Sequence, residues 1–301
     1  MTTNKPRDFL TEDVGMALTV VPSGGALGAD ILGVDLRHPL DLVSLETIRA
    51  ALYRHEVICI RGSEIDDEDQ IRFSGRFGRL RKLNVAQFLH RTKPEILVVS
   101  NVVEEGKHIG SYDAGILWHT DGAYLEVPHA ISALRAVELP QRDGRVLGDT
   151  LFASTSAAYD ALPLSMKRRI DGLQALNSVV HRHAKTVQAG IKTDLMSEAI
   201  KREPEAVHPV VRVHPVTGRK CLYVTEGFTV RILGLPADEG HDLLSELVAH
   251  CTRPEFIYRH QWQLHDLVMW DDCSTQHKAT FDYALPLRRR MHRTTIVDAT
   301  Q

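Results

Sequence analysis

Short runs of apolar residues separated by glycine-rich and polar segments dominate the first third of the chain. Residues 17–36 (ALTVVPSGGALGADILGVDL) alternate such runs with glycines, which predicts a strand, a turn and a second strand. Residues 42–55 carry apolar side chains at helical spacing, and residues 56–60 (EVICI) form the β-branched run typical of a buried strand. Ser63 and the acidic residues after it predict a capped helix that ends near Gly78.

The rest of the chain also combines strands with a few helices. Apolar residues at helical spacing predict helices over residues 156–176 and 237–251. Strand-forming runs predict further strands at residues 95–100, at both ends of 116–153, and at 210–213, 221–224, 256–262 and 267–270. Many short strands with few packed helices favour a mostly β fold, with a barrel or double-stranded β-helix (jelly-roll) core, over a doubly wound sheet.

We expect residues 1–301 to form a single catalytic domain, because 43% hydrophobic residues suffice for one large core. Two segments are predicted to be lids. Residues 101–115 are polar and contain glycines, and residues 183–207 are polar and lack a clear period.

The charged residues nearly balance, with 36 Lys and Arg against 39 Asp and Glu, which argues against nucleic-acid binding. The four cysteines, at 59, 221, 251 and 273, contain no C-x-x-C pair and so fit neither a zinc cluster nor a disulfide scaffold. No apolar run has the length of a signal peptide or a membrane span. We therefore expect a cytoplasmic protein whose partners are small molecules.

A histidine and a carboxylate lie two positions apart in Trp118-His119-Thr120-Asp121. In a strand, side chains two apart point to the same face, so both groups can bind one metal ion. His277 follows a predicted strand far downstream and supplies a third ligand. Two histidines and one carboxylate form the facial triad associated with non-haem Fe(II) oxygenases.

The spacing of these three residues leaves alternatives open. The chain has 16 histidines, so His119 and His277 equally fit ordinary core or surface positions. The same residue types also hold catalytic zinc, which makes a zinc-type hydrolase on a barrel scaffold a second interpretation. A metal-free binding or regulatory protein is a third.

Six ordered segments resemble the family of taurine dioxygenase and 2,4-dichlorophenoxyacetate dioxygenase, and together they span nearly the whole chain. They are GGALGADILGVDLRHPL, IRFSGRFGRL, LWHTDGAYLEVP, GDTLFAS, HPVVRVHPVTGRKCLYV and VMWDDCSTQHKATFDYALPLRRRMHRTTI. The resemblance implies a jelly-roll enzyme in which His119, Asp121 and His277 bind Fe(II), with 2-oxoglutarate and O2 as co-substrates. It also implies release of succinate and CO2, hydroxylation of a substrate carbon, and assembly into a dimer or tetramer.

The C-terminal arginines fit the family pattern R-x-x-x-R. The resemblance implies that Arg289 pairs with the distal carboxylate of 2-oxoglutarate, a task for which the planar guanidinium is suited. It implies that Arg293 faces the anionic group of the primary substrate and borders the co-substrate, and that the Thr150 hydroxyl helps to hold the distal carboxylate. Arg288 and Arg290 alternate with these residues and fit a solvated strand edge.

The substrate is expected to be a small organic anion, with aryloxyalkanoates and alkylsulfonates as the first candidates. Hydroxylation beside an ether oxygen or a sulfonate would lead to bond cleavage. The alternative substrate is another small acid or an amino-acid derivative. Tyr124 and Asn84 are candidate substrate contacts. Taurine itself is not favoured, because FGRLRKLNVAQF lacks the histidine that taurine-type relatives carry after their FG-containing helix.

Overall fold

A computed structural model of the chain describes residues 17–82, 90, 92–112, 114–190 and 204–299. The helices in these ranges are α1 (Leu42–His55), α2 (Asp67–Ser74), α3 (Thr155–Ala161), α4 (Leu164–Ile170), α5 (Val179–Gln188) and α6 (Ala237–Cys251), with a 3-10 turn at Pro254–Phe256. None of the helices in the described part of the chain has the length and apolar character required to cross a membrane.

Most of the remaining regular structure consists of short strands. They are β1 (Thr19–Pro22), β2 (Ala29–Leu32), β3 (Val57–Ile60), β4 (Arg79–Leu80), β5 (Leu97–Ser100), β6 (Val103–Glu104), β7 (Lys107–His108), β8 (Ile131–Glu138), β9 (Gln141–Arg142), β10 (Arg145–Val146), β11 (Thr150–Ser154), β12 (Gln174–Asn177), β13 (Ala206–Pro209), β14 (Val211–Val213), β15 (Lys220–Leu222), β16 (Thr229–Ile232), β17 (Ile257–His260), β18 (Leu267–Asp271), β19 (Thr275–Ala279) and β20 (Arg290–Asp298).

The largest sheet has the strand order β1-β2-β3-β18-β8-β20-β4, and β5 also pairs with β20. Its pairings are antiparallel except for the parallel pair of β2 and β3. A smaller sheet has the order β17-β11-β19. Strands that are distant in the sequence therefore lie side by side, as a jelly-roll topology requires.

Alternation along the central strands divides the core into two layers. In β18, Leu267 and Met269 pack with helices α1 and α2, whereas Val268 and Trp270 pack on the opposite face. That second layer also contains Phe152 of β11, so it fills the space between the two sheets. Successive strand residues point to opposite faces, and here both faces are buried.

Two helix predictions are confirmed at their bounds, residues 42–55 and 237–251. The Asp41 carboxylate accepts a hydrogen bond from the Ser44 backbone amide at 2.9 Å and caps α1. Helix α2 begins later than the sequence indicated, because Asp66 and Asp69 form a capping box there, and it ends before Gly75 instead of near Gly78.

The predicted helix over residues 156–176 is wrong at its C-terminal end, because α4 ends at Ile170 and residues 171–176 are not helical. Pro163 separates α3 from α4, and residues 174–177 form β12 between β13 and β16. Sheet pairing therefore overrides the local helical spacing.

The two predicted lid segments contain regular structure. Residues 103–108 form a β-hairpin whose turn residues Glu105 and Gly106 both have positive φ, as a two-residue hairpin turn requires. The segment 183–207 begins inside α5 and ends inside β13, and its residues 191–203 lie outside the described part of the chain.

Removing the Ile48 side chain tests the layer between α1 and the large sheet. Ile48 is fully buried, and we expect Ile48→Ala to lower the free energy of unfolding by about 2–5 kcal/mol. Leu42→Ala, at a 70% exposed position of the same helix, should change it by less than about 0.5 kcal/mol. Urea denaturation of both variants checks the difference, and equal effects would contradict this packing.

Candidate metal centre and active site

His119, Asp121 and His277 meet in the interior of the protein. Their metal-binding atoms lie within 4.8 Å of one another, and all three residues are buried. The Nε2 atom of His119 is 3.8 Å from Oδ1 of Asp121, and the Nε2 atom of His277 is 3.9 Å from Oδ2. Such spacing lets one ion contact all three side chains at ordinary ligand distances.

The backbone brings the two histidines together through an isolated antiparallel bridge. The His119 amide donates to the His277 carbonyl at 3.1 Å, and the His277 amide donates to the His119 carbonyl at 2.8 Å. His277 lies on β19, which is held by β11 with Phe152 as its register partner. This pair of hydrogen bonds thus helps to join two parts of the chain that are distant in the sequence.

The expected strand at residues 118–121 is absent. His119 makes only the bridge, and Asp121 begins a turn. The Thr120 hydroxyl donates to the Thr275 carbonyl at 2.8 Å and holds this turn against β19. The two side chains therefore converge through a bridge and a turn, and not through regular strand alternation.

The imidazoles are held in the neutral form that binds metals. His119 Nδ1 lies 2.8 Å from the Leu117 carbonyl oxygen and donates to it, which leaves the Nε2 lone pair directed towards Asp121. Burial lowers the pKa of His119 to about 4. Burial, followed by the neighbouring His119, also lowers the pKa of His277 well below its usual range.

Asp121 is the negative group of this cluster. Burial alone would raise its pKa, but the positive charge of Arg293 outweighs burial, lowers the pKa and keeps the carboxyl ionised. One terminal nitrogen of Arg293 lies 2.7 and 2.8 Å from the two Asp121 oxygens. The Ser132 hydroxyl lies 3.0 Å from Asp121 and 2.8 Å from Asp272, whose pKa is raised by burial.

A cavity beside the two histidines contains the predicted co-substrate residues. Its lining includes His119, His277, Thr150, Arg289 and Arg293. The cavity therefore joins the metal-binding cluster to both arginines of the R-x-x-x-R pattern.

Arg289 is held in this cavity by its backbone and by packing. Its amide donates to the Asn101 side-chain oxygen at 2.8 Å, and its guanidinium lies 5.9 Å from the ring centre of Trp262. Trp262 Nε1 donates to the Thr150 hydroxyl at 3.0 Å, which orients that hydroxyl beside Arg289. Arg289 Nε is buried and has no hydrogen-bond partner among the described residues.

Gly148 allows the close approach of Arg289. It has a φ of +80°, and a Cβ atom there would lie 3.0 Å from Arg289 Nε and 2.8 Å from the Tyr283 ring. The two arginines that were predicted to lie at a solvated strand edge, Arg288 and Arg290, form ion pairs outside this cavity. Arg288 pairs with Glu138 at 3.0 Å, and Arg290 pairs with Glu104 at 3.2 Å.

The rings of Phe228 and Tyr124 lie beside His119 and form an aromatic wall. The Phe228 ring centre lies 6.0 Å from that of His119 and 5.2 Å from that of Tyr124. Gly227 precedes Phe228 and donates to the Trp118 carbonyl at 2.9 Å, which fixes this segment against the metal-binding residues. Tyr124 thus lies near the site, whereas Asn84 lies outside the described residues.

Sequence reasoning missed Phe228, Ser132 and Asp272. Phe228 lies in a short irregular segment before β16, and no spacing rule links it to the His-x-Asp pair. The adjacent Gly227 was the available signal, because glycine commonly marks a close backbone approach. Ser132 and Asp272 carry no signal of this kind.

A second group of possible metal ligands is already satisfied by protein contacts. Cys59, His260 and Asp266 also lie within 4.8 Å of one another. Asp266, however, pairs with Arg61 at 2.8 Å and with His260 at 3.2 Å. Burial raises the pKa of the Cys59 thiol, which keeps it protonated. We therefore assign this group a structural role.

Comparison with known proteins gives the family. Residues 19–295 match the model of the taurine catabolism dioxygenase TauD, TfdA family. Pentalenolactone F synthase of Streptomyces arenae is 34% identical, covering 92% of this chain and 94% of the relative. The alpha-ketoglutarate-dependent 2,4-dichlorophenoxyacetate dioxygenase of Cupriavidus pinatubonensis is 32% identical, covering 94% and 99%.

A solved structure matches along the same length. A crystal structure of AAD-2 in complex with Mn(II) and N-oxalylglycine has a TM-score of 0.79 and 29% identity, covering 95% of this chain and 98% of that one. These findings confirm the predicted fold and the predicted cofactors. They also remove the zinc hydrolase and the metal-free binding protein from consideration. The chain belongs to the TauD/TfdA family and is a 2-oxoglutarate-dependent non-haem iron dioxygenase.

Proposed function

We propose that His119, Asp121 and His277 bind the Fe(II) ion. Two neutral imidazoles and one ionised carboxylate suit this ion, which would supply the site where 2-oxoglutarate and O2 react. The observation that carries the proposal is the convergence of the three donor sets within 4.8 Å. When bound, the iron and 2-oxoglutarate supply the oxidising power for hydroxylation.

Arg289 and Thr150 bind the distal carboxylate of 2-oxoglutarate. The buried Arg289 Nε supports this role, because an unpaired buried donor is costly unless a ligand satisfies it. The cavity between Arg289 and the two histidines gives the co-substrate a path to the metal. A guanidinium and a hydroxyl together bind a carboxylate with charge-assisted hydrogen bonds.

The surrounding side chains orient these groups and exclude water. Trp270 and Phe152 pack beside the His277 ring, with ring centres at 4.8 and 5.9 Å. Arg293 and Ser132 hold Asp121 by its oxygens, which fixes the direction of the carboxylate. Orientation of the reacting groups and exclusion of water are the main contributions of a protein to cofactor chemistry.

The substrate is a small organic anion, and an aryloxyalkanoate or alkylsulfonate is the first candidate. The 2,4-dichlorophenoxyacetate dioxygenase relative supports the aryloxyalkanoate class. Arg293 is a candidate for the anionic group of a short substrate, since it lines the cavity beside the histidines. The Tyr124 ring is a candidate contact for the apolar part, and Asn84 remains a candidate from the sequence alone.

The match over residues 19–295 supports a single catalytic domain over most of the chain. The dimeric or tetrameric state, the cytoplasmic location and the absence of nucleic-acid partners stay predictions. Movement of residues 101–115 or 183–207 as lids also stays a prediction.

Loss of one ligand should abolish iron-dependent turnover. We expect His277→Ala to lower Fe(II)-dependent succinate release at least about 100-fold, because one of three ligands is lost. His241→Ala, at an exposed position of α6, should leave it unchanged. Iron content after dialysis and a succinate assay check both variants, and an iron-replete, active His277→Ala enzyme would reject the ligand assignment. Zinc replacement of the iron in the wild type should abolish turnover.

Arg289→Ala should raise the KM for 2-oxoglutarate by about 10–100-fold, because it removes charge-assisted hydrogen bonds to a carboxylate. Arg288→Ala is the matched control, since Arg288 is 47% exposed and pairs with Glu138. Initial rates at varied 2-oxoglutarate concentrations separate the two. Similar KM values for both variants would contradict the proposed site.

Gly148→Ala should weaken 2-oxoglutarate binding several-fold, because its Cβ would displace Arg289 and Tyr283. Gly144→Ala separates this contact from backbone strain. Gly144 has a similar φ of +75°, but its Cβ would meet nothing within 4 Å. Both variants should lose stability by about 1–2 kcal/mol, and only Gly148→Ala should raise the KM. An unchanged KM in Gly148→Ala would argue against a co-substrate role for the cavity.

A further inference from the structure

Two of the four cysteines meet in the interior of the protein. All four are buried and free. Cys221 lies on β15, and Cys273 lies in the turn between β18 and β19. The Cys221 thiol donates a hydrogen bond to the Cys273 sulfur. Two thiols from distant parts of the sequence therefore form a contact pair.

Hydrogen bonds at two places hold the hairpin of β14 and β15 against this turn. His214 Nε2 lies 2.7 Å from Oδ2 of Asp271, whose Oδ1 accepts from the Cys273 amide at 2.9 Å. Gln276 Nε2 donates to the Val224 carbonyl at 2.8 Å. These two anchors lie on either side of the thiol pair in the sequence, so they fix the approach of its two sulfurs.

The surroundings give the two sulfurs different roles. The hydrogen bond from Cys221, followed by the charge of Arg212, lowers the pKa of the Cys273 thiol and outweighs burial. Arg212 is the register partner of Cys221, and its Nη1 is buried without a hydrogen-bond partner among the described residues. Cys273 is 4% exposed, whereas Cys221 is fully buried. Because the thiolate is the nucleophilic form, Cys273 is the first sulfur to react with a small oxidant.

We propose that Cys221 and Cys273 form a reversible disulfide when hydrogen peroxide oxidises them, and that this disulfide weakens metal binding. The Cys273 thiolate attacks one peroxide oxygen, the O–O bond breaks, and a sulfenic acid and hydroxide form. The hydroxide takes the proton that Cys273 released. The Cys221 sulfur then attacks the Cys273 sulfur, and the sulfenic oxygen leaves as water with the Cys221 proton. Two thiols thus lose two electrons, and one peroxide becomes two water molecules.

The turn that carries Cys273 also supports the metal centre. Asp272, the preceding residue, lies 2.8 Å from the Ser132 hydroxyl, which lies 3.0 Å from Asp121. A disulfide brings two sulfurs closer together than a hydrogen bond between thiols does, so its formation shifts the turn. Groups that orient a metal ligand contribute to metal affinity. This second part of the inference rests on the proposed function of Asp121 as a ligand.

Peptide mass spectrometry of the full chain tests the disulfide. Reduced protein is exposed to hydrogen peroxide, the peroxide is removed with catalase, and free thiols are blocked with N-ethylmaleimide in denaturant before digestion. We expect one cross-linked pair of peptides, containing Cys221 and Cys273, that dithiothreitol separates. Four blocked thiols, a link between any other pair, or sulfonic acid at Cys273 without a link would overturn the inference.

Two variants separate the thiol pair from general oxidation. Cys251 is a buried cysteine of α6 whose thiol contacts Gln276, so Cys251→Ser should form the same disulfide as the wild type. Cys221→Ala removes the second sulfur and should give no cross-linked peptides. A cross-link that persists in Cys221→Ala would count against the pair. The wild type itself gives the cross-link, so this test does not depend on the folding of either variant.

Calorimetric titration with Mn(II) tests the effect on the metal centre without turnover. Oxidised wild type should bind Mn(II) about tenfold more weakly than reduced wild type, as expected when a group that orients a metal ligand is displaced. Treatment with dithiothreitol, followed by desalting, should restore the affinity. Peroxide-treated Cys221→Ala should bind Mn(II) as tightly as the untreated variant.

The outcomes distinguish this inference from the proposed function. Equal Mn(II) affinities of reduced and cross-linked wild type would overturn the effect on the metal centre. Failure of the reduced wild type to bind Mn(II) would instead count against the proposed ligands. The mass-spectrometric test of the disulfide stands in either case.

Discussion

The active site depends on one pair of backbone hydrogen bonds, between His119 and His277. These bonds, at 3.1 and 2.8 Å, join an irregular segment to β19, and they place two imidazoles with ring centres 4.1 Å apart. Backbone bonds set this approach because the side chains alone would not hold it, since two buried neutral rings attract each other only weakly. The pairing of β19 with β11 then fixes the bridge to the smaller sheet.

The cost of burying charge in this interior is distributed over several partners. Asp121 is compensated by Arg293, and Ser132 connects it to Asp272, whose pKa is raised by burial. A buried carboxylate without such partners would be strongly destabilising. The same need applies to Arg289, whose backbone is anchored by Asn101 while its Nε remains available for a ligand. Both arginines have a buried Nε without a hydrogen-bond partner among the described residues, and Arg293 differs from Arg289 by its ion pair with Asp121.

Much of the fold was predictable because hydrophobic periodicity is a local property. Residues 42–55 and 237–251 carry a clear helical stripe, and both helices form with those bounds. Residues 174–176 were assigned to a helix wrongly, since only their pairing with β13 and β16 makes them a strand. Short motifs that resemble the family predicted the site residues His119, Asp121, His277, Thr150 and Arg289. Phe228 was not predicted, because its contact with His119 arises from packing of the loop before β16 against the metal-binding segment, and the adjacent Gly227 was the available local signal.

The two sides of the site belong to different parts of the chain. The co-substrate cavity is lined mainly by strands β5, β8, β11, β18, β19 and β20, which are paired in sheets. The aromatic wall is built from the turn that follows Thr120 and from the loop before β16, and the Ser178 amide next to α5 donates to the Phe228 carbonyl. Substitutions in the wall therefore leave the sheet hydrogen bonds intact. A change in the size of a wall side chain can therefore reshape the space beside His119 while every strand keeps its register.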